Sequence, residues 1–181
     1  MKLKVNFVSK TPKIAKTNEI VFVRNKNVKI KNLSFNSKTI IENQLFKEHL
    51  FFQKEYKNKN YIFVNCTNLS LSKNYEEIGS KLFEFLKNNK LEKSFIETGI
   101  TQINNIQLEK IIHGVKLKSY VFEKYKSNKK NDKFLNLIIV GKSSTKSNIF
   151  RRKLDAISEG VFYTRDLVSE PGNILHPDEY A

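Results

Sequence analysis

The run Phe134-Leu135-Asn136-Leu137-Ile138-Ile139-Val140 constrains the fold more than any other stretch of the chain. It is too short for a buried helix and nearly continuous in apolar side chains, so it reads as a strand covered on both faces. A strand of that kind needs layers on either side of its sheet, and the rest of the sequence supplies them. Tyr61-Ile62-Phe63-Val64 is a second unbroken run and reads as another central strand. Lys2 to Val8 alternates polar and apolar residues with period two, as a half-buried strand does. Elsewhere the period lengthens. Tyr75, Ile78, Leu82, Phe85 and Leu86 form one helical stripe, and Leu108, Ile111, Ile112 and Val115 form another. Strands alternating with helices predict an α/β fold, a mixed sheet with helices on both faces.

The remaining segments fill in that plan. Glu19 to Arg24 and Val28 to Phe35 read as strands, with Asn25-Lys26-Asn27 as a hairpin turn between them. Ser37 is placed to cap a short helix through Ile41, Leu45 and Phe46. Leu50 to Tyr56 pairs with Tyr61 to Cys66 across Lys57-Asn58-Lys59-Asn60, and Phe95 to Ile100 is a short strand. Tyr120 to Tyr125 reads as extended and Ser127 to Asp132 as a charged loop. From Asn148 a long helix follows, with Leu154, Ile157, Val161 and Val168 as its apolar stripe and Arg152, Asp155, Glu159 and Arg165 toward water. Pro171 stops it, because proline disfavours helical geometry in the residue before it. His176-Pro177-Asp178-Glu179 then reads as the first turn of another helix. The expected organisation is an α/β domain over residues 1–147, a connecting helix over 148–170, and the start of a further domain over 171–181.

Charge enters here because it points to a possible partner. Lys and Arg number 33 against 18 Asp and Glu, a formal net charge of +15. Of the basic residues 29 are Lys, and Lys, Asn and Ile together occupy 68 of the 181 positions. Those residues share A/T-rich codons, whereas a phosphate-binding surface favours the guanidinium fork of Arg as well. The charge is therefore read as compositional, and a stand-alone basic nucleic-acid- or nucleotide-binding module is kept as the alternative function. Cys66 is the single cysteine, which excludes an internal disulfide, and it reads as a buried, inert thiol. No apolar run approaches the ~20 residues of a bilayer-spanning helix, so the chain reads as soluble and cytoplasmic with no membrane partner.

No reaction centre is legible from motif alone. His49, His113 and His176 lack ligand spacing. The pairs Asp155/Glu159 and Asp166/Glu170 each share a helix face, which reads as a solvated face rather than a metal site. Gly141-Lys142-Ser143-Ser144 has the end of a phosphate-binding loop, but the glycine required upstream is replaced by Asn136.

Two segments nevertheless resemble a known family. Arg165-Asp166-Leu167-Val168-Ser169-Glu170-Pro171-Gly172-Asn173-Ile174-Leu175-His176-Pro177 looks like the domain-joining motif of the leucine (cytosol) aminopeptidases. His113-Gly114-Val115-Lys116-Leu117-Lys118-Ser119-Tyr120-Val121-Phe122-Glu123-Lys124-Tyr125-Lys126-Ser127 is similar to a second stretch of the same family. The resemblance implies a macro-domain-like mixed sheet flanked by helices and followed by a long interdomain helix. It implies that this chain is the non-catalytic N-terminal domain, with Arg165, Asp166, Leu167, Pro171, Asn173 and Pro177 as a structural interdomain motif. The catalytic residues and the two divalent metals, manganese or zinc, would belong to a C-terminal domain that this chain lacks. The family's hexamer, its peptide substrates and its removal of N-terminal amino acids are implied in the same way. Two departures accompany the likeness: Ser169 stands where the family has Asn, and Asn65-Cys66-Thr67 stands where it has glycines, which disfavours a nucleotide-type pocket at that loop.

Overall fold

Phe134–Val140 is strand β6, and it lies inside a sheet with a parallel neighbour along each edge. The structure is a computed structural model that describes residues 2–10, 17–24, 49–56, 58–66, 72–125, 134–141 and 145–171. The other strands are β1 Lys2–Val8, β2 Thr17–Val23, β3 Phe51–Tyr56, β4 Lys59–Asn65 and β5 Lys93–Glu97. They line up as β1-β6-β5-β2-β4-β3. All pairings are parallel except that of β3 with β4. Asn58, with φ 59°, makes the tight turn between those two, a left-handed geometry that asparagine tolerates. The expected mixed sheet has therefore formed. Among the described residues three helices flank it: α1 Ser72–Asn88, α2 Asn105–Ser119 and α3 Thr145–Ser169.

The connections explain where the helices lie. β4–α1–β5 and β5–α2–β6 both step the same way along the sheet, so right-handed crossovers bring both helices to one face. There Ile20, Phe22, Ile62, Val64, Leu135, Leu137 and Ile139 meet Ile78, Leu82 and Leu86 of α1 and Ile111, Ile112 and Val115 of α2 in one buried cluster. The opposite face is buried as well, through Val21, Val23, Tyr61 and Phe63 and through Phe95, Ile138 and Val140. Both faces of β2, β4 and β6 are thus apolar, which is why those runs are nearly unbroken in sequence. β1 sits at an edge and keeps its alternation, with Leu3, Val5 and Val8 half-buried and their neighbours exposed.

Helices α1 and α2 cross without space between their backbones. A Cβ on Gly79 would fall 2.0 Å from the Ile111 carbonyl oxygen, and one on Gly114 would fall 2.0 Å from that of Glu76. Helix α2 begins with a capping box, in which the Asn104 side chain accepts from the Gln107 amide and Gln107 returns the bond to the Asn104 amide. Helix α3 packs on α2, as an outer layer.

Several sequence expectations shift. The long helix begins at Thr145 rather than Asn148, and it ends at Ser169, ahead of Pro171 as expected. β5 stops at Glu97, and the chain turns at Thr98 to Ile100. Tyr120 to Tyr125 joins no strand of the sheet. β2 pairs in parallel with β4 along one edge and with β5 along the other. The strand expected at 28–35, the helix from Ser37 and the loop at 127–132 lie outside the described residues.

Candidate functional site

The described parts of the two segments that carry the family resemblance, 113–125 and 165–171, meet in space. Helix α2 ends at Ser119, and the chain then runs as Tyr120 to Tyr125 alongside the last two turns of α3. A chain leaving a helix needs partners for its polar groups, and α3 provides them. Arg165 donates to the carbonyl of Leu117 at 2.8 Å, satisfying one of the last acceptors of α2. Its guanidinium also lies 5.4 Å from the centre of the Tyr120 ring, a cation–π contact. The same ring stacks on Phe162 at 5.4 Å, and its hydroxyl donates to Asp166 Oδ1 at 2.6 Å.

Just past the end of α3, Glu170 closes the arrangement. Its carboxylate accepts from Lys124 Nζ through one oxygen and from the Tyr125 hydroxyl through the other. The side chain of Glu170 is 6% exposed. The bonds from Lys124 and Tyr125 hold the Glu170 carboxyl below its usual value. The same contact raises the Lys124 ammonium and the Tyr125 phenol above theirs. Tyr120 is raised first by its burial and then by Asp166. We refer to this set as the clasp.

Upstream, Lys116 of α2 pairs with Asp155 of α3. Beyond it, Glu109 is 3% exposed between the two helices. It accepts from the Ser147 hydroxyl at 3.1 Å, and the Arg151 guanidinium is 3.5 Å from the same oxygen. Burial raises the Glu109 carboxyl despite these partners. Arg151 also caps the ring of Phe7 from β1 at 3.9 Å. On the other side of α2, His113 Nδ1 lies 3.0 Å from Glu76 Oε1. The motif residues His113 and Gly114 thus serve the α1–α2 crossing, while Tyr120, Lys124 and Tyr125 serve α3.

Of the candidate residues, Arg165 and Asp166 lie in the clasp itself. Leu167 is half-buried, and its carbonyl accepts from the Glu170 amide at 3.1 Å, which tightens the helix end just before Pro171. Asn173 and Pro177 lie outside the described residues, as does His176. Arg165 is exposed and Asp155 partly so, as expected, and each also makes a contact across the helices, Asp155 with Lys116 and Arg165 with the end of α2. Lys116, Lys124 and Tyr125 were not singled out as site residues, and Glu170 was paired with Asp166 as a solvated face rather than matched to the segment after α2. The available signal was the four-residue spacing of Asp166 and Glu170 on α3, matched by a cation and two phenols between Tyr120 and Tyr125.

None of this is a reaction centre. Among the described residues no group of three or more His, Cys, Asp or Glu is placed to hold a metal ion. The carboxylates of Asp155, Asp166 and Glu170 are committed to ammonium and phenol partners, so these residues do not fit a two-metal site. Cys66 is fully buried at the end of β4, and burial pushes its thiol up to about 12, which leaves no thiolate for nucleophilic attack at neutral pH. No helix among the described residues is long and apolar enough to cross a membrane.

Comparison with known proteins gives the arrangement its context. No protein-family model matches the sequence. A probable cytosol aminopeptidase of Phytoplasma mali (strain AT) is 35% identical over 86 residues, covering 48% of this chain and 17% of that protein. Its counterpart in Rickettsia bellii (strain OSU 85-389) is 35% identical over 114 residues, covering 59% of this chain and 22% of that protein. The matched part therefore spans less than a quarter of the length of these relatives. Among solved structures, a variant of tomato leucine aminopeptidase superposes over 98% of this chain and 40% of its own, with TM-score 0.63 and 16% identity. The bottromycin maturation enzyme BotP, solved in complex with Mn, covers 92% of this chain and 34% of its own, with TM-score 0.58. The fold is thus that of a part of the leucine aminopeptidase chain. In sequence over the aligned segments and in fold over nearly its whole length, this chain is a relative of the leucine (cytosol) aminopeptidases.

Proposed function

We propose that this chain is the non-catalytic α/β portion of a leucyl-aminopeptidase-type metallopeptidase, whose complete assembly removes N-terminal amino acids from peptides. The observation that carries this reading is the clasp. The described parts of both segments that resemble the aminopeptidases converge there, and its bonds hold the segment after α2 against the end of α3. A joint between two bodies requires that. In this reading residues 1–147 are the domain, 148–170 the connecting helix and 171–181 the entry to the catalytic domain. Arg165, Asp166, Leu167 and Pro171 form the joint, and Asn173 and Pro177 continue it.

The metal chemistry then belongs wholly to the partner. Two divalent ions, manganese or zinc, would be held there and would activate water for attack on the peptide bond. The cytoplasm is the compartment of this reading, as the relatives' name has it, and a hexamer is its whole assembly. The test is direct. Purified chain incubated with leucine amides and added manganese or zinc is expected to show no hydrolysis above a metal-only control. Metal-dependent turnover by the chain alone would overturn the assignment.

A further inference from the structure

Helix α3 leaves one pair of opposite charges unmatched, and their spacing is informative. Asp155 pairs with Lys116, Asp166 accepts from Tyr120, Arg151 reaches Glu109, and Arg165 is held by the end of α2. Arg152 and Glu159 are exposed, and neither has an ion partner among the described residues. They stand two turns apart on one flank of the helix, about 10 Å along its axis, and are not bonded to each other. Beside them runs the outer face of α3, opposite the buried Ser147, Leu154 and Ser158 that pack on α2. On it Ile149 is 64% exposed, Ile157 44% and Tyr163 67%, with the small, exposed Ala156 midway between Ile149 and Tyr163. A Cβ on Gly160, one turn on, would touch nothing within 4 Å, so another helix has room to approach there.

A second copy of the same helix supplies what each charge lacks. In an antiparallel pair related by a two-fold axis, position i of one helix faces j of the other and j faces i, and like flanks lie side by side. With the axis beside Ala156, Arg152 of each copy falls opposite Glu159 of the other, giving two equivalent ion pairs. In the same register Ile149 of each copy falls opposite Tyr163 of the other, so both ends of the contact are apolar. Ala156 meets its own copy at the centre, where small side chains let helix axes come close. Lys153 falls near Ile157 and Glu159 of the other copy and Lys146 near Thr164, so no lysine faces a lysine. The match is internal to this one sequence, which selects a second copy over an unrelated partner. Each copy carries +15, but at physiological salt that repulsion is screened beyond about 8 Å, whereas the paired charges are in contact.

We propose that the outer face of α3 is a self-association surface, through which two copies of this chain pair antiparallel about Ala156. Arg152 and Glu159 form its reciprocal ion pairs, and Ile149 and Tyr163 are its apolar anchors. The pairing rests on this chain's own residues and not on the functional reading above, so either stands if the other fails.

The experiment follows sedimentation of the 181-residue chain at physiological salt. Concentrations from about 1 µM to 1 mM cover the range in which a small interface associates. A monomer–dimer equilibrium is expected. Arg152→Glu and Glu159→Arg each set like charges opposite one another and are expected to weaken the dimer at least about tenfold. The double variant Arg152→Glu/Glu159→Arg is expected to restore it. Both positions are exposed, so circular dichroism and melting of the dilute monomer are expected to stay those of the parent. Native Cys66 is buried, so Ala156→Cys reports on the axis. A short bismaleimide is expected to link two copies through it at least about tenfold faster than through Lys87→Cys, exposed on α1. A monomer across the whole range would overturn the proposal. So would a dimer indifferent to both single reversals, or one that the double variant fails to restore. Shielding of Ala156→Cys by phosphatidylserine vesicles, or by the remainder of an aminopeptidase relative, with the chain itself monomeric, would give the face to that occupant and overturn it as well.

Discussion

Glycines 79 and 114 show how much a single side chain decides in this molecule. Each lies where a neighbouring helix passes within van der Waals reach, and an added methyl would meet a backbone carbonyl at 2.0 Å. Backbone cannot move aside as a flexible side-chain tip does, so the helices must separate. We expect Gly114→Ala to destabilise the protein by about 2–3 kcal/mol, read as a lowered urea midpoint at unchanged slope. Gly160→Ala, with open space around its Cβ, is the control and is expected to be neutral or slightly stabilising. Glu109 is a residue-scale case of the opposite kind, a carboxyl kept in an apolar seam. Burial raises its folded value above the unfolded one, so its contribution to stability is fully present below the unfolded value and is lost as pH rises through the folded value. Stability measured from pH 4 toward neutrality is expected to contain this decline, and Glu109→Gln is expected to flatten it. Cys66 follows the same sign at higher pH. Its thiol stays protonated up to about 12 in the fold, so the stability it supports falls as pH rises above the unfolded thiol value, and maleimide is expected to label it only in denaturant.

At the scale of elements, the clasp ties the segment after α2 to the end of α3. Its central carboxyl, Glu170, has a folded value below its unfolded one, so the tie is present above the unfolded value and is lost as pH falls through the folded value. Lys124 sets the other limit. Its folded value is raised, so its share persists below the unfolded lysine value and disappears as pH passes the folded one. The segment from Tyr120 to Tyr125 is therefore expected to be held across neutral pH and released at both extremes. Amide hydrogen exchange at 121–125 is the appropriate measurement. Glu170→Gln is expected to increase exchange there at neutral pH while leaving β6 and α2 protected, because opening is local. Equal loss of protection across the sheet would show that the clasp supports the whole fold rather than the joint alone.

At the scale of the whole molecule, the +15 charge and the fold point in different directions. Lys, Asn and Ile rise together in the composition, and on that reading of the charge we expect no retention of duplex DNA at physiological salt. Binding that persists there, with a steep dependence on salt, would revive the alternative of a nucleic-acid module. Much of the architecture was legible beforehand. The apolar run at 134–140 and the one at 61–64 could only be strands covered on both faces, and the stripes in α1 and α2 had one period each. The stripe read in α3 is not its buried face: Leu154 is buried, but Ile157 and Val168 are exposed, and Ser147 and Ser158 are buried instead. Local sequence therefore determined which elements form and that they stack as an α/β sheet. It also determined the end of α3, since Pro171 acts on its neighbouring residue through sterics alone. The order of strands was not legible, because hydrophobic pattern specifies which face is buried but not which edge is paired. β2, for example, lies between β4 and β5, which no local pattern specifies. The clasp was hidden for the same reason. Tyr120 and Asp166 are far apart in the chain, and their bond exists only because α2 and α3 lie side by side. The sequence by itself determined periodicity, termini and the aminopeptidase likeness of two separate segments. Only the tertiary structure decided that those segments touch and that α3 keeps an uncovered face, because both depend on contacts between residues that nothing local brings together.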